Sequence, residues 1–151
     1  MGSKFLLFSE LSLTEQIILS GIRTWRNNIM LNKDPIQSLK SFYKPFNLEK
    51  ISTLTNNFMS TICIGYKVHL DIRCNCNMII SNHEQMILET FYYSQLRFED
   101  LERNTLSNFV KSNSIKELMS ITKKINRLLK ENKYEFECKD SYFNLNLKCL
   151  N

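Results

Sequence analysis

Residues 114–133, SIKELMSITKKINRLLKENK, decide the fold class predicted from this sequence. On a helical wheel at about 100° per residue, the apolar members of this stretch fill one side. They are Ile115, Leu118, Met119, Ile121, Ile125, Leu128 and Leu129. The pattern predicts an amphipathic helix over residues 114–132 that buries one face in a hydrophobic core.

The other side of this predicted helix is basic. Lys116, Lys123, Arg127 and Lys130 fall within an arc of about 60° and form a stripe about 21 Å long, at about 1.5 Å of rise per residue. Residues 111–133 carry seven basic and two acidic side chains, which accounts for the whole formal net charge of +5. Such a stripe can contact several phosphates of a nucleic acid or an acidic face of a partner protein. It can also serve only as a solvated helix face.

Further helices are predicted from their start signals. Capping-box spacing, with serine three residues before glutamate, occurs three times, and two other starts carry Asp-Pro or Asn. The starts are 12–15, 81–84, 114–117, Asp34-Pro35 and Asn47. Apolar residues at helical spacing follow these starts, so we expect five to six helices in total.

Two regions alternate between apolar and polar residues instead, which is typical of half-buried strands. The first is 66–72. The second is a C-terminal pair, 134–138 and 143–149, joined at Asp140-Ser141 as a hairpin. We therefore predict an α+β fold that is mainly helical, with a small antiparallel β element made of this hairpin, with or without strand 66–72. An all-α bundle is the alternative. A single globular domain is expected over residues 1–151.

The composition bounds the class of protein. An apolar fraction of 43% and a charged fraction of 23% are those of a globular, water-soluble chain. No apolar run approaches the roughly 18–20 residues of a transmembrane helix. Five cysteines, an odd number, without a secretory signal predict reduced thiols and a cytoplasmic location. Alanine is absent, while Asn occurs 17 times and Ile 15 times, which indicates an AT-rich genome.

The sequence contains none of the motifs that would indicate an enzyme. The three glycines, Gly2, Gly21 and Gly65, are too dispersed for a phosphate-binding loop or a dinucleotide fingerprint. Neither His-Glu-x-x-His nor Gly-x-Ser-x-Gly occurs. We expect a non-catalytic protein that needs no cofactor.

One cluster of soft ligands is present in the middle of the chain. His69, Cys74, Cys76 and His83 could complete a tetrahedral zinc site if the loop between strand and helix folded back. However, His69 lies on the polar face of the predicted strand, whereas Cys74 lies on its apolar face. We therefore predict no metal site, and these four residues are the candidates if one exists.

Several other residues are assigned to the core. Trp25, Phe91 and Tyr92 continue the apolar stripes of predicted helices, and only Tyr93 of the Phe-Tyr-Tyr run is expected to be exposed. The remaining cysteines, Cys63, Cys138 and Cys149, are expected to be buried thiols.

Two short windows carry a resemblance to known proteins. Leu70-Asp71-Ile72-Arg73-Cys74-x-Cys76, followed by Ile79-Ile80-Ser81-x-x-Glu84, resembles a group of small uncharacterised helical proteins of alphaproteobacteria. Those proteins also begin with an amphipathic helix that contains Arg-x-Trp, here Arg23-Thr24-Trp25. The resemblance implies a bacterial cytosolic origin and transfers no site residues.

Two functions follow from these observations. The first is a non-catalytic interaction or adaptor protein whose helical surface binds another protein. The alternative is a nucleic-acid-binding accessory protein that contacts the phosphate backbone through Lys116, Lys123, Arg127 and Lys130. The oligomeric state stays open.

Overall fold

The computed structural model describes residues 6–136, and within that range the chain forms helices and no β-sheet. The helices are α1 (Leu13–Met30), α2 (Pro35–Tyr43), α3 (Ile51–Gly65), α4 (Asn82–Leu96), α5 (Glu99–Ser107) and α6 (Ser112–Glu131). Two short 3-10 turns, Phe8–Glu10 and Lys44–Phe46, precede α1 and α3. The all-α alternative is therefore confirmed for this range, and the α+β prediction is wrong.

Three of the predicted helix starts are confirmed. Ser12 and Ser81 each form a capping box with the glutamate three residues later, in which side chain and backbone bond reciprocally. Asp34 caps α2 by accepting a hydrogen bond from the backbone N–H of Ile36, with Pro35 at the first helical position. These starts were predictable because each cap uses residues within one turn.

Two other starts were predicted wrongly, because contacts from distant residues set them. α6 begins at Ser112 instead of at the box over 114–117, since the N–H of Lys111 bonds to the carbonyl of Gly65 at 2.7 Å and fixes the chain before the helix. Asn47 does not open α3. It has φ of 59° and ends the preceding 3-10 turn, and α3 begins at Ile51.

The predicted strand 66–72 is irregular chain instead. Tyr66 makes one isolated antiparallel bridge with Val110, and bends follow at 67 and 68. The apolar alternation matches burial only at the end of the segment, where Ile72 is buried and Leu70 half-buried, whereas Tyr66 and Val68 are exposed. No second strand pairs with this segment among residues 6–136; side chains at the start of α4 bond to it instead. The predicted C-terminal hairpin lies largely outside the described residues.

One hydrophobic core connects the helices. α6 packs against α3, α4 and α5, while α1 packs against α2, α3 and α4. Trp25, Phe91 and Tyr92 are buried as predicted, but Tyr93 is buried as well, with 7% of its surface exposed. It is covered because α4 packs against α5, α6 and α1. Among the described residues, no helix is long and apolar enough to cross a membrane.

Candidate functional site

A groove of about 630 Å³ lies between the second half of α1, the end of α3 and the irregular segment 66–72. We call it the apolar groove. Its size is within the range of about 300–1,000 Å³ that is usual for binding sites. Apolar side chains make most of its lining, chiefly Trp25, Ile29, Met30, Met59, Ile62 and Tyr66.

The rim of the apolar groove exposes large hydrophobic side chains to solvent. Ile29 is 45% exposed, Met30 66% and Tyr66 53%. The floor consists of core residues, since Met59 and Ile62 are almost fully buried. A concave site lined mainly by apolar side chains is a candidate binding surface.

Trp25 forms part of the floor and is held in a fixed orientation. Its indole N–H donates to the Asn56 side-chain oxygen at 2.9 Å, which links α1 to α3 beneath the groove. The indole is 6% exposed. A buried aromatic ring with its polar atom satisfied gives the groove a rigid apolar floor.

Arg26 supplies the groove with a positive charge. The contact between its guanidinium and the neutral side-chain oxygen of Asn27 is long, at 3.3 Å. No carboxylate among residues 6–136 lies within ion-pair distance of it. Asp71, the acidic residue of the lining, instead pairs with Arg73 at 3.3 Å. Arg26 is therefore available to an anionic group on a bound molecule.

A buried ion pair fixes the wall of the groove. The Arg23 guanidinium and the Glu84 carboxylate meet in two hydrogen bonds of 2.7 and 2.9 Å, and both side chains are almost completely buried. Arg23 also donates to the backbone carbonyls of Asn77 and Ile79. Glu84 accepts from the backbone N–H of Arg73 at 3.2 Å. Through these bonds the pair anchors the segment between α3 and α4.

No pattern in the sequence indicated this ion pair. Arg23 and Glu84 lie 61 positions apart, and Glu84 was assigned only to a helix cap. The groove itself had a weak signal, since Ile29-Met30-Leu31 are three consecutive apolar residues at the end of a helix that buries only one face.

The four metal candidates do not form a metal site in the described part of the chain. Cys74 and Cys76 are joined in a disulfide, so the prediction of reduced thiols is wrong for these two. The ring Nδ1 of His83 accepts a hydrogen bond from the backbone N–H of Asp71 at 2.9 Å. His69 is exposed at the groove. Between residues 6 and 136, no three potential ligands converge.

Cys63 is exposed, contrary to the prediction that it belongs to the core. It follows the buried residue Ile62 near the end of α3, where α3 borders the groove instead of another helix. Partial desolvation by the neighbouring residues raises the pKa of the thiol even though the side chain is exposed, which lowers the thiolate fraction at neutral pH. Cys138 and Cys149 lie outside the described residues.

The predicted basic stripe lies on α6 and points to solvent. Lys116, Lys123, Arg127 and Lys130 are all exposed, and none of them lines the apolar groove. Lys123 lies 3.5 Å from the Glu99 carboxylate, and both side chains are more than half exposed. A pair this exposed is weak, yet it places a negative charge in the middle of the stripe.

Two glutamates with raised pKa values were not predicted, Glu102, which is buried, and Glu89, which is half-buried. Burial raises the pKa of Glu102 to about 7, while the charge of Lys123 opposes the shift. Burial also raises the pKa of Glu89 to about 7. Each glutamate falls on a helix whose sequence pattern gave no reason to place it inside.

No protein-family model, curated protein or solved structure matches this chain.

Proposed function

We propose that this chain is a non-catalytic adaptor protein whose apolar groove binds an apolar segment of a partner protein. The observation that carries the proposal is the exposed rim of Ile29, Met30 and Tyr66 around a rigid floor. Fully burying such a side chain is worth roughly 1.5–3 kcal/mol, so covering these half-exposed residues contributes to association, and further contacts must offset the rest of its cost.

The positive charge of Arg26 in the groove favours a partner segment that carries a negative charge. Within the described residues Arg26 forms no ion pair, and His69 is a further exposed polar group of the lining. The complementary partner segment combines apolar side chains with an aspartate or glutamate that reaches Arg26. Rim charges of this kind guide association and register more than they add affinity.

The thiol of the groove supports binding over catalysis. A nucleophilic cysteine needs a lowered pKa, whereas partial desolvation raises the pKa of Cys63. The groove also joins many apolar side chains to few polar ones. Both features favour an interaction surface.

We also propose a cytoplasmic location and, from the resemblance, an alphaproteobacterial origin. Cys63 is a free, exposed thiol, which is typical of reducing compartments. The disulfide between Cys74 and Cys76 argues the other way. Fractionation of the native cells with an antibody against the full chain tests the location, and recovery outside the cytoplasmic fraction would contradict it.

A second candidate function is binding to a nucleic-acid backbone through α6. The exposure of all four predicted basic residues on one helix favours it. The ion pair of Lys123 with Glu99 weakens it, since a carboxylate in the stripe repels phosphates. This candidate therefore ranks below the groove.

The groove hypothesis is tested with two matched double variants of the full chain. Ile29→Gln with Met30→Gln removes the apolar rim, while Leu13→Gln with Met78→Gln removes equally exposed apolar side chains outside the groove. Each is used to capture proteins from a lysate of the native organism. A protein identified by mass spectrometry is then purified, and its affinity for each form is measured.

We expect the rim variant to lose the partner, with at least about a tenfold weaker affinity for the purified protein. The control variant should bind as wild type does. Equal binding by the two double variants would contradict the proposal.

A further inference from the structure

We propose that the apolar groove binds its partner by strand addition, in which an extended partner segment pairs with the backbone of Leu70 and Ile72. The inference rests on the proposed function and names the form of the partner. Strand addition takes affinity from main-chain hydrogen bonds and specificity from pockets for alternate side chains.

One edge of the segment around Leu70 and Ile72 is already bonded. No bend or turn interrupts residues 69–74, and the backbone hydrogen bonds of Asp71 and Arg73 all go to residues 81–84. The N–H of Asp71 donates to His83 Nδ1, and the carbonyl of Asp71 accepts from the Ser81 hydroxyl. The N–H of Arg73 donates to Glu84. The odd-numbered residues thus face the start of α4.

The opposite edge is unpaired, and it borders the groove where the side chain of Leu70 is half-buried and that of Ile72 is buried. Within residues 6–136, the backbone N–H and C=O groups of Leu70 and Ile72 have no hydrogen-bond partner. Both residues line the apolar groove. Two residues spaced by two, each with a free donor and a free acceptor, provide four hydrogen bonds for one added strand.

The side chains around this edge define the partner. An added strand places every second side chain toward the floor, where Trp25 and Ile62 lie. A carboxylate on the strand complements the charge of Arg26. The partner segment is therefore extended, with apolar residues at alternate positions and at least one aspartate or glutamate. A helix in the same groove would leave the backbone of Leu70 and Ile72 unpaired.

The inference is tested with a phage library of random dodecapeptides selected on the full chain. Clones that also bind the Ile29→Gln, Met30→Gln variant are removed. The most enriched peptide is synthesised, and each of its backbone nitrogens is methylated in turn. Because a strand uses every second N–H, methylation should weaken binding at least tenfold at one set of alternate positions and by less than twofold at the other. Amide hydrogen exchange at Leu70 and Ile72 should slow at least tenfold on binding.

Other outcomes separate the two proposals. Enriched peptides with apolar residues three and four apart, and no alternation in the methylation series, would overturn strand addition while leaving groove binding intact. If the selection yields no peptide whose binding depends on Ile29 and Met30, groove binding itself is overturned.

The chain's own residues 137–151 are the competing occupant. Two results together would show that residues 137–151 fill the groove: slow amide exchange at Leu70 and Ile72 in the free full chain, and a link between Cys63 and Cys149 formed by a short bismaleimide. They would overturn strand addition by a partner. We expect no link between Cys63 and Cys149, and rapid exchange at the amides of Leu70 and Ile72.

Discussion

At the scale of single residues, the contact with the greatest effect on the groove is the ion pair between Arg23 and Glu84. Each partner is buried, and their bonds extend to the backbone on both sides of the Cys74–Cys76 disulfide. Removing one member of such a pair leaves an uncompensated charge inside the protein. The pair therefore holds the wall of the groove in place.

We expect Arg23→Met to lower the free energy of unfolding by about 3–5 kcal/mol, because Glu84 would remain buried and unpaired. Arg73→Met is the matched control. Arg73 pairs with the exposed Asp71 and donates to the Ile79 carbonyl at 3.2 Å, so its loss should cost about 1–2 kcal/mol, less than the loss of the fully buried Arg23. Urea denaturation at pH 7 measures both. Equal effects of the two variants would contradict the role assigned to the buried pair.

The buried carboxyl of Glu102 makes stability depend on pH. Its pKa is about 7 in the folded protein against an ordinary value of 4.5, so the folded state keeps a proton that the unfolded state has released. The free energy of unfolding should therefore fall as pH rises from about 4.5 to about 7. Glu102→Gln should reduce this fall and stabilise the protein at pH 8 by about 1–3 kcal/mol.

Denaturation midpoints at pH 5, 6, 7 and 8 measure this effect. Glu117→Gln, at an exposed position on α6, should keep the wild-type dependence on pH. An unchanged dependence in Glu102→Gln would show that this carboxyl is ionised in the folded protein at neutral pH.

At the scale of helices and loops, sequence reasoning succeeded where the signal is local. The capping boxes at Ser12 and Ser81 and the burial of Trp25 depend on residues within a few turns. It failed where contacts with residues far away in the sequence determine the local structure. Apolar and polar residues alternate over 66–72 as they do in a strand. Whether such a segment pairs with a second strand depends on the whole fold.

The contact between α3 and α6 gives a test at this scale. A Cβ added at Gly65 would lie 2.8 Å from the Cβ of Ser114 and still closer to its hydroxyl, so the helices could not pack as they do. Gly65→Ala should lower the free energy of unfolding by about 1–3 kcal/mol. Adding Ser114→Gly removes the obstructing atoms and should recover part of the loss. No recovery in the double variant would show that the cost arises elsewhere.

The stripe on α6 is tested by reversing charge. If Lys123 and Arg127 contact phosphates, Lys123→Glu with Arg127→Glu should reduce retention on duplex DNA at low salt. The salt dependence should fall by about 0.9 in log–log slope for each lost contact. Lys33→Glu with Lys40→Glu, exposed residues before and within α2, is the control for net charge. Unchanged retention in the α6 variant would exclude nucleic-acid binding through this helix.

At the scale of the whole molecule, one face differs from the rest. The ends of α1 and α3 and the segment between α3 and α4 leave an apolar groove with an uncompensated arginine. The basic residues predicted from the sequence lie on α6, away from the groove. They could be found from the sequence because a charged, solvent-exposed helix face is visible in the order of the residues alone. An apolar groove exists only once three segments are brought together, so the sequence alone could not locate it.

The most direct test of the groove is the dissociation constant of the purified partner for three forms of the full chain. We expect Ile29→Gln with Met30→Gln to raise this dissociation constant at least about tenfold. Leu13→Gln with Met78→Gln should leave it within about twofold of the wild-type value. A dissociation constant that is the same for all three forms would contradict the assignment of the apolar groove as the binding site.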